Sequence, residues 1–119
     1  MADITIYHNP RCSKSRQTLE LLKENRISPE IILYLETPPS KSEIQSLLLK
    51  LGISARQLLR SSEEAYKTGN LADTSLSEDQ LIDAMLAEPK LIERPIVVAG
   101  DHAVLGRPPE NALDLIQGA

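Results

Sequence analysis

The stretch ITIYHNPRCSKSR, residues 4–16, contains the signals that decide the fold of this 119-residue chain. Its first four residues, Ile4–Tyr7, alternate with period two and include β-branched side chains, which predicts a strand ending before an Asn-Pro pair. A helix is predicted to follow and to run to about Arg26, because leucines recur along one face. Cys12 therefore lies where the first strand leads into the first helix.

A second strand is predicted soon after this helix. Ile31–Leu35 is a short continuous apolar run, which is typical of a strand buried on both faces. A strand, a helix and a strand in this order imply two parallel strands joined by a right-handed crossover. Ser13 or Ser15 is expected to cap the intervening helix.

The middle of the chain, from Pro38 to about Glu88, has a helical pattern throughout. A serine followed by apolar residues at helical spacing predicts a helix N-cap at three places. These caps are Ser40 or Ser42, Ser54, and Ser77. Gly52 is expected to end the first of the three helices, and Pro89 the last.

The last third of the chain returns to strands. Pro95–Ala99 and His102–Leu105 flank a Gly-Asp pair, which predicts a β-hairpin. A final helix is expected to start at the pair Pro108–Pro109 and to place Leu113 and Ile116 on its inner face.

The order of elements is β-α-β, then helices, then β-β-α, and this is the order of a thioredoxin-like α/β fold. We therefore predict a single domain over residues 1–119, in which the helices at about 38–90 form an insertion. The chain has no tryptophan or phenylalanine and only three tyrosines, so the core is expected to be aliphatic.

The net charge and composition argue against several classes of binding partner. The formal net charge is −4, which argues against a protein that binds nucleic acid through its phosphates. No apolar run approaches the length of a membrane span and no secretory leader is recognisable, so we expect a cytoplasmic protein without a membrane partner. One cysteine and two histidines far apart in sequence do not suggest a metal site.

Cys12 is the only cysteine in the chain. A helix N-terminus and neighbouring positive charges lower the pKa of a thiol well below its free value of about 8.5. The nearby charges are those of Arg11, Lys14, Arg16 and, when protonated, His8. We interpret Cys12 as a reactive thiol rather than as a buried small hydrophobe, the usual role of a lone cysteine. Because the chain holds no second cysteine, a partner molecule must complete any covalent thiol chemistry.

Two other cysteine chemistries are excluded by spacing. An enzyme of the tyrosine-phosphatase type needs an arginine six residues after the cysteine, where this chain has Thr18. A dithiol reductase needs a Cys-x-x-Cys pair, but the second position is Ser15.

Motifs spread along the whole chain resemble a single family. They are Ile6–Pro10, Cys12, Ser15–Arg16, the Leu-Tyr-Leu run ending at Leu35, Arg60, Glu93–Val98 and Gly106–Pro108. These motifs closely resemble those of the glutaredoxin-coupled arsenate reductases, the ArsC family. The resemblance implies a cytoplasmic enzyme that reduces arsenate, or a similar oxyanion, with glutathione as co-substrate and glutaredoxin as partner. We expect no bound cofactor and a monomer.

Carried over by position, the resemblance assigns Cys12 as the catalytic nucleophile. The catalytic group that binds the oxyanion would be Arg60, Arg94 and Arg107. The resemblance also implies that His8 lies near the thiol. Ser15 completes a Cys-x-x-Ser spacing, in which its hydroxyl can bond the thiolate or the oxyanion. Pro95 resembles the cis-proline that thioredoxin-like proteins place opposite the active cysteine.

Each supporting residue also has a simpler structural explanation. Arg60 follows a predicted helix end, where a cation offsets the helix dipole. The side chain of Arg94 could be solvated, and Arg107 could serve as surface charge. His8 could be polar surface at a strand end, and Ser15 could be a helix cap.

One departure from the family keeps two alternatives open. Ser13 and Lys14 stand where well-characterised arsenate reductases usually carry Gly-Thr. This change is compatible with a glutathione-dependent thiol oxidoreductase that acts on another substrate. A second alternative is a Spx-like regulator, which shares the fold and binds RNA polymerase without catalysis, although members of that branch typically carry a Cys-x-x-Cys pair.

Overall fold

A computed structural model describes residues 4–117 of the chain. The chain divides into two compact units, one made of residues up to 37 and from 94 onwards, the other made of Pro38–Glu93. The bounds of the second unit agree with the helical segment predicted at about 38–90. That the two units form one domain stays a prediction.

The helices and strands follow the predicted order. They are β1 (Ile4–His8), α1 (Ser13–Glu24), β2 (Glu30–Leu33), α2 (Lys41–Leu51), α3 (Ala55–Leu58), α4 (Glu64–Thr68), α5 (Glu78–Ala87), a 3₁₀ turn (Pro89–Leu91), β3 (Ile96–Ala99), β4 (His102–Leu105) and α6 (Asn111–Gln117). No helix within residues 4–117 is long and apolar enough to cross a membrane.

The first unit contains a four-stranded sheet in the order β2-β1-β3-β4. β1 and β2 are parallel, with Ile6 opposite Ile31, and β1 is antiparallel to β3, with Ile6 opposite Val97. β3 and β4 form the predicted hairpin. The β-α-β and β-β-α halves of a thioredoxin-like α/β fold are thus both present.

One core cluster of the first unit is aliphatic, as expected, although Tyr7 and Tyr34 are buried in this unit as well. The cluster consists of Ile4, Ile6, Leu22, Val97, Ala99, Ala112 and Leu115, with Leu19, Ile27, Val104 and Ile116 packed partly against it. Alternate residues of the strands therefore meet the inner faces of α1 and α6 on one side of the sheet. The final helix starts at Asn111, so its most buried side chains are Ala112 and Leu115, and the prediction of Leu113 for the inner face is wrong.

β2 differs from the prediction of a strand buried on both faces. It is an edge strand of the sheet, Glu30 is exposed, and Ile31 is 44% exposed. The apolar run misleads because the strand ends at Leu33, so the last two residues of the run belong to the following turn.

The second unit bears out the helix caps. Ser40, Ser54 and Ser77 each accept the N–H of the residue three positions on, whose side chain accepts the serine N–H in return. Gly52 ends α2 in the left-handed conformation, with φ 69°. Sequence reasoning did not find α4, which has no side-chain cap and buries none of its residues.

Candidate functional site

Cys12 occupies the N-cap position of α1. Its backbone is extended, with φ −93° and ψ 123°, and its N–H donates to the carbonyl of Asn9 at 3.0 Å. Its own carbonyl accepts the N–H of Arg16 at 3.0 Å, as an N-cap residue does. The prediction that Ser13 or Ser15 caps the helix is therefore wrong, because the turn at Asn9 brings the cysteine itself to the start of the helix.

The pKa of the Cys12 thiol lies below its ordinary value. Partial burial is the largest single effect and raises this pKa, but it is outweighed by several groups that together lower it, first the hydrogen bonds from the backbone N–H of Ser15 and from the Arg94 side chain. The positive charge of Arg94 and the N–H of Lys14 lower the pKa further. A helix N-terminus and an arginine thus favour the thiolate together.

Two of the predicted arginines meet at the sulfur. Arg94 leads into β3, and the peptide bond to Pro95 is cis, as the resemblance implied; the Arg107–Pro108 bond is cis as well. Arg107 follows β4, and its Nη1 lies 3.9 Å from Cys12 Sγ and donates to the carbonyl of Arg94 at 3.3 Å. An anion bound next to the sulfur would therefore lie close to two guanidinium groups, which remain charged and donate in a planar fork.

His8, at the end of β1, and Ser15, in the first turn of α1, form a buried hydrogen-bonded pair. Nδ1 of His8 lies 2.6 Å from Oγ of Ser15, and the N–H of Asn9 donates to the same oxygen at 3.0 Å. His8 is 6% exposed and Ser15 is fully buried. The hydroxyl of Ser15 thus joins the end of β1 to the first turn of α1, so its hydrogen bonds hold the cysteine turn rather than cap the helix.

The source of positive charge at the thiol differs from the prediction. Burial, and then the charges of Arg16 and Lys23, lower the pKa of His8 below its ordinary 6.5, so His8 is neutral at physiological pH. Arg16 directs its Nη1 to the carbonyl of Pro10 at 2.8 Å. The cation that lowers the pKa of Cys12 is Arg94, which lies far away in sequence.

Asn9 is a site residue that sequence reasoning missed. It is 7% exposed; its Oδ1 accepts the N–H of Arg11 at 3.0 Å, and its carbonyl accepts the N–H of Cys12. The signal was available, because an Asn-Pro pair favours a turn in which the asparagine side chain bonds the backbone two residues on.

Arg60 belongs to the second unit, where it lies just beyond α3. Its N–H donates to the carbonyl of Leu91 at 2.8 Å, and its Nη1 donates to Oε1 of Glu93 at 3.0 Å. The two side chains of this ion pair are 18% and 22% exposed. Nε of Arg60 is buried and has no hydrogen-bond partner within residues 4–117. The guanidinium therefore keeps a donor that the ion pair does not use.

No group of three or more histidine, cysteine, aspartate or glutamate side chains within the described part of the chain could hold a metal ion.

Comparison with known proteins shows which families and structures this chain resembles. The ArsC family model matches residues 7–115. An uncharacterised Escherichia coli K12 protein, YfgD, is 59% identical over 114 residues, which is 95% of this chain and 96% of the relative. An Escherichia coli arsenate reductase is 50% identical over 119 residues, covering 100% of this chain and 84% of the relative. The solved structure of an arsenate reductase from Vibrio cholerae matches with a TM-score of 0.93 at 52% identity, covering 95% of this chain and 97% of the other.

Proposed function

This chain belongs to the ArsC family, and on that basis we propose that it reduces arsenate to arsenite through the thiolate of Cys12. The observation that carries the proposal is the lowered pKa of Cys12 at a helix N-terminus, with the guanidinium groups of Arg94 and Arg107 beside the sulfur. Relatives that carry the name arsenate reductase match the whole chain, which supports arsenate as the substrate.

Arsenate binding is assigned to arginines. Arsenate is a tetrahedral oxyanion, so a thiolate that approaches it needs fixed positive donors to offset the repulsion between two negative charges. Arg94 and Arg107 are suited to this task because a guanidinium bonds two oxygens at once. Arg60 is included on the family resemblance alone.

The first chemical step forms a bond between sulfur and arsenic. The Cys12 thiolate attacks arsenic(V), and one arsenate oxygen leaves as water after it takes up protons. No oxidation state changes in this step, because an S–As bond replaces an As–O bond. Arg94 and Arg107 bind the remaining arsenate oxygens and offset their negative charge while the S–As bond forms.

The second step transfers two electrons, and the chain cannot supply them alone because it has no second cysteine. We assign them to glutathione, the abundant thiol of the cytoplasm, where a lone cysteine stays reduced. Its thiolate attacks the Cys12 sulfur, an S–S bond forms, and the electron pair of the S–As bond returns to arsenic, which leaves as arsenite. Glutaredoxin then reduces the mixed disulfide and restores the Cys12 thiol.

A coupled assay tests this function. Arsenate-dependent oxidation of NADPH is measured with glutathione, glutaredoxin and glutathione reductase present, for the wild-type protein and for Cys12→Ser. We expect turnover that Cys12→Ser abolishes. Equal rates for the two folded proteins would refute the proposal.

A glutathione-dependent thiol oxidoreductase with another substrate is the second candidate. It is favoured by the exposed Ser13 and Lys14 at the start of α1, where the family pattern differs. Replacement of Arg94 by alanine separates the two candidates. An arsenate reductase loses turnover of arsenate while Cys12 still exchanges with a disulfide substrate, whereas the second candidate has no arsenate activity to lose.

A further inference from the structure

The short segment Leu105–Arg107, here called the arginine loop, is held by side chains along its whole length. Nδ2 of Asn111 donates to the carbonyl of Leu105 at 3.1 Å and to the carbonyl of Arg107 at 3.3 Å. Oγ1 of Thr18 donates to the carbonyl between them, that of Gly106, at 3.3 Å. Three consecutive carbonyls thus each accept a hydrogen bond from a side chain.

The middle residue of the arginine loop is also in close contact with its surroundings. The N–H of Gly106 donates to the carbonyl of Pro95 at 2.9 Å. A Cβ atom at this glycine would lie 2.5 Å from Oγ1 of Thr18 and 2.7 Å from Cγ of Pro95, so only glycine fits without a shift. The arginine loop therefore packs directly on α1, the helix that Cys12 caps, and on the residue after Arg94.

Asn111 is the side chain best suited to hold the arginine loop. Its amide has two N–H donors, one for each carbonyl on either side of Gly106. The hydroxyl of Thr18 has a single proton, and it lies closer to the carbonyl of Lys14, at 2.8 Å, than to Gly106. The hydroxyl proton of Thr18 is thus shared with a helix carbonyl, whereas both hydrogen bonds of Asn111 go to the arginine loop.

We propose that Asn111 is a positioning residue for Arg107: it fixes the arginine loop so that the guanidinium stays beside Cys12 Sγ. The inference rests on the proposed function only in assigning the oxyanion to Arg107. A long arginine side chain loses conformational entropy when an anion binds and orders it. If the backbone that carries the side chain is already fixed, the entropy lost on binding is smaller and the anion binds more tightly. The side-chain hydrogen bonds of Asn111 go to backbone carbonyls of the arginine loop, so it acts through Arg107.

Protection of Cys12 from iodoacetamide measures anion binding without turnover. The alkylation rate is followed at increasing arsenate, which gives a Kd for the wild-type protein and for each variant. We expect Asn111→Ala to raise the Kd about 5-fold, the effect of a typical net hydrogen bond. Asn25→Ala is the matched control, because Asn25 also donates its Nδ2 to a carbonyl, that of Leu21 at 2.8 Å, at the far end of α1. The control should leave the Kd unchanged.

A double-mutant cycle with Arg107→Ala distinguishes positioning from a general structural role. If Asn111 acts through Arg107, the Kd of the double variant equals that of Arg107→Ala alone. Effects that multiply would overturn the inference, and so would an unchanged Kd in Asn111→Ala when Arg107→Ala weakens binding. Asn111→Leu, which keeps the volume and lacks the donors, replaces the alanine variant if that protein does not fold.

Amide hydrogen exchange keeps the two proposals separable. If arsenate does not protect wild-type Cys12, the proposed function fails, and the exchange rate of the Gly106 amide still decides whether Asn111 holds the arginine loop. Faster exchange in Asn111→Ala, with Asn25→Ala unchanged, supports the inference. Unchanged exchange overturns it.

Discussion

Ser15→Ala is expected to lower the free energy of unfolding by about 2–5 kcal/mol. The hydroxyl is fully buried and takes part in two hydrogen bonds, at 2.6 Å to Nδ1 of His8 and at 3.0 Å from the N–H of Asn9. Alanine leaves both buried groups unsatisfied, and each such group costs about 1–3 kcal/mol. The better helix propensity of alanine returns about 0.5 kcal/mol at most.

Urea unfolding followed by far-UV circular dichroism at neutral pH measures this change. Ser13→Ala is the matched control, because Ser13 is an exposed serine in the same helical turn. We expect the control to change the free energy of unfolding by less than about 0.5 kcal/mol. If Ser15→Ala were no more destabilising than Ser13→Ala, the buried pair of His8 and Ser15 would not be formed as described.

Three further predictions concern charge and packing around the same turn. Arg94→Ala removes a hydrogen bond and a positive charge from the sulfur, so the pKa of Cys12, read from the pH dependence of its alkylation, should rise; an unchanged pKa would contradict the role given to Arg94. The lowered pKa of His8 means that the unfolded chain binds a proton more readily than the folded protein below pH 6.5, so the free energy of unfolding should fall as pH drops below that value. His8→Asn should remove this part of the pH dependence, and an equal slope in both proteins would count against it. Gly106→Ala should destabilise the protein by about 1–3 kcal/mol in urea unfolding, because the new methyl group meets Thr18, and a neutral effect would show that the packing is looser than described.

Local signals in the sequence predicted most of the secondary structure. Ser40, Ser54 and Ser77 were recognisable as caps because the bonds of a capping box span only three residues. The edge position of β2 was not recognisable, since the order of strands depends on long-range pairing. The α4 helix carries neither a side-chain cap nor a buried face, so no pattern marked it.

The candidate site was also predictable only where local sequence patterns determine it. The position of Cys12 at a strand-to-helix junction follows from the patterns on either side of it. The contact of Arg94 and Arg107 with the sulfur does not, because it depends on how β3 and the arginine loop return to α1; only the family resemblance pointed to these residues. The lowered pKa of His8 likewise depends on the folded chain, which buries the ring and brings the charges of Arg16 and Lys23 near it.

The position of Cys12 as the N-cap residue of α1 has a consequence for the end of the proposed catalytic cycle. Groups that favour a thiolate also favour its departure, because a sulfur of low pKa is a better leaving group in thiol-disulfide exchange. The same N–H groups of α1 that activate the nucleophile would therefore make the mixed disulfide with glutathione easy to break. The helix start would thus accelerate release of the enzyme from its oxidised form as well as the initial attack on arsenate, and the thiolate that glutaredoxin displaces returns directly to the environment that stabilises it.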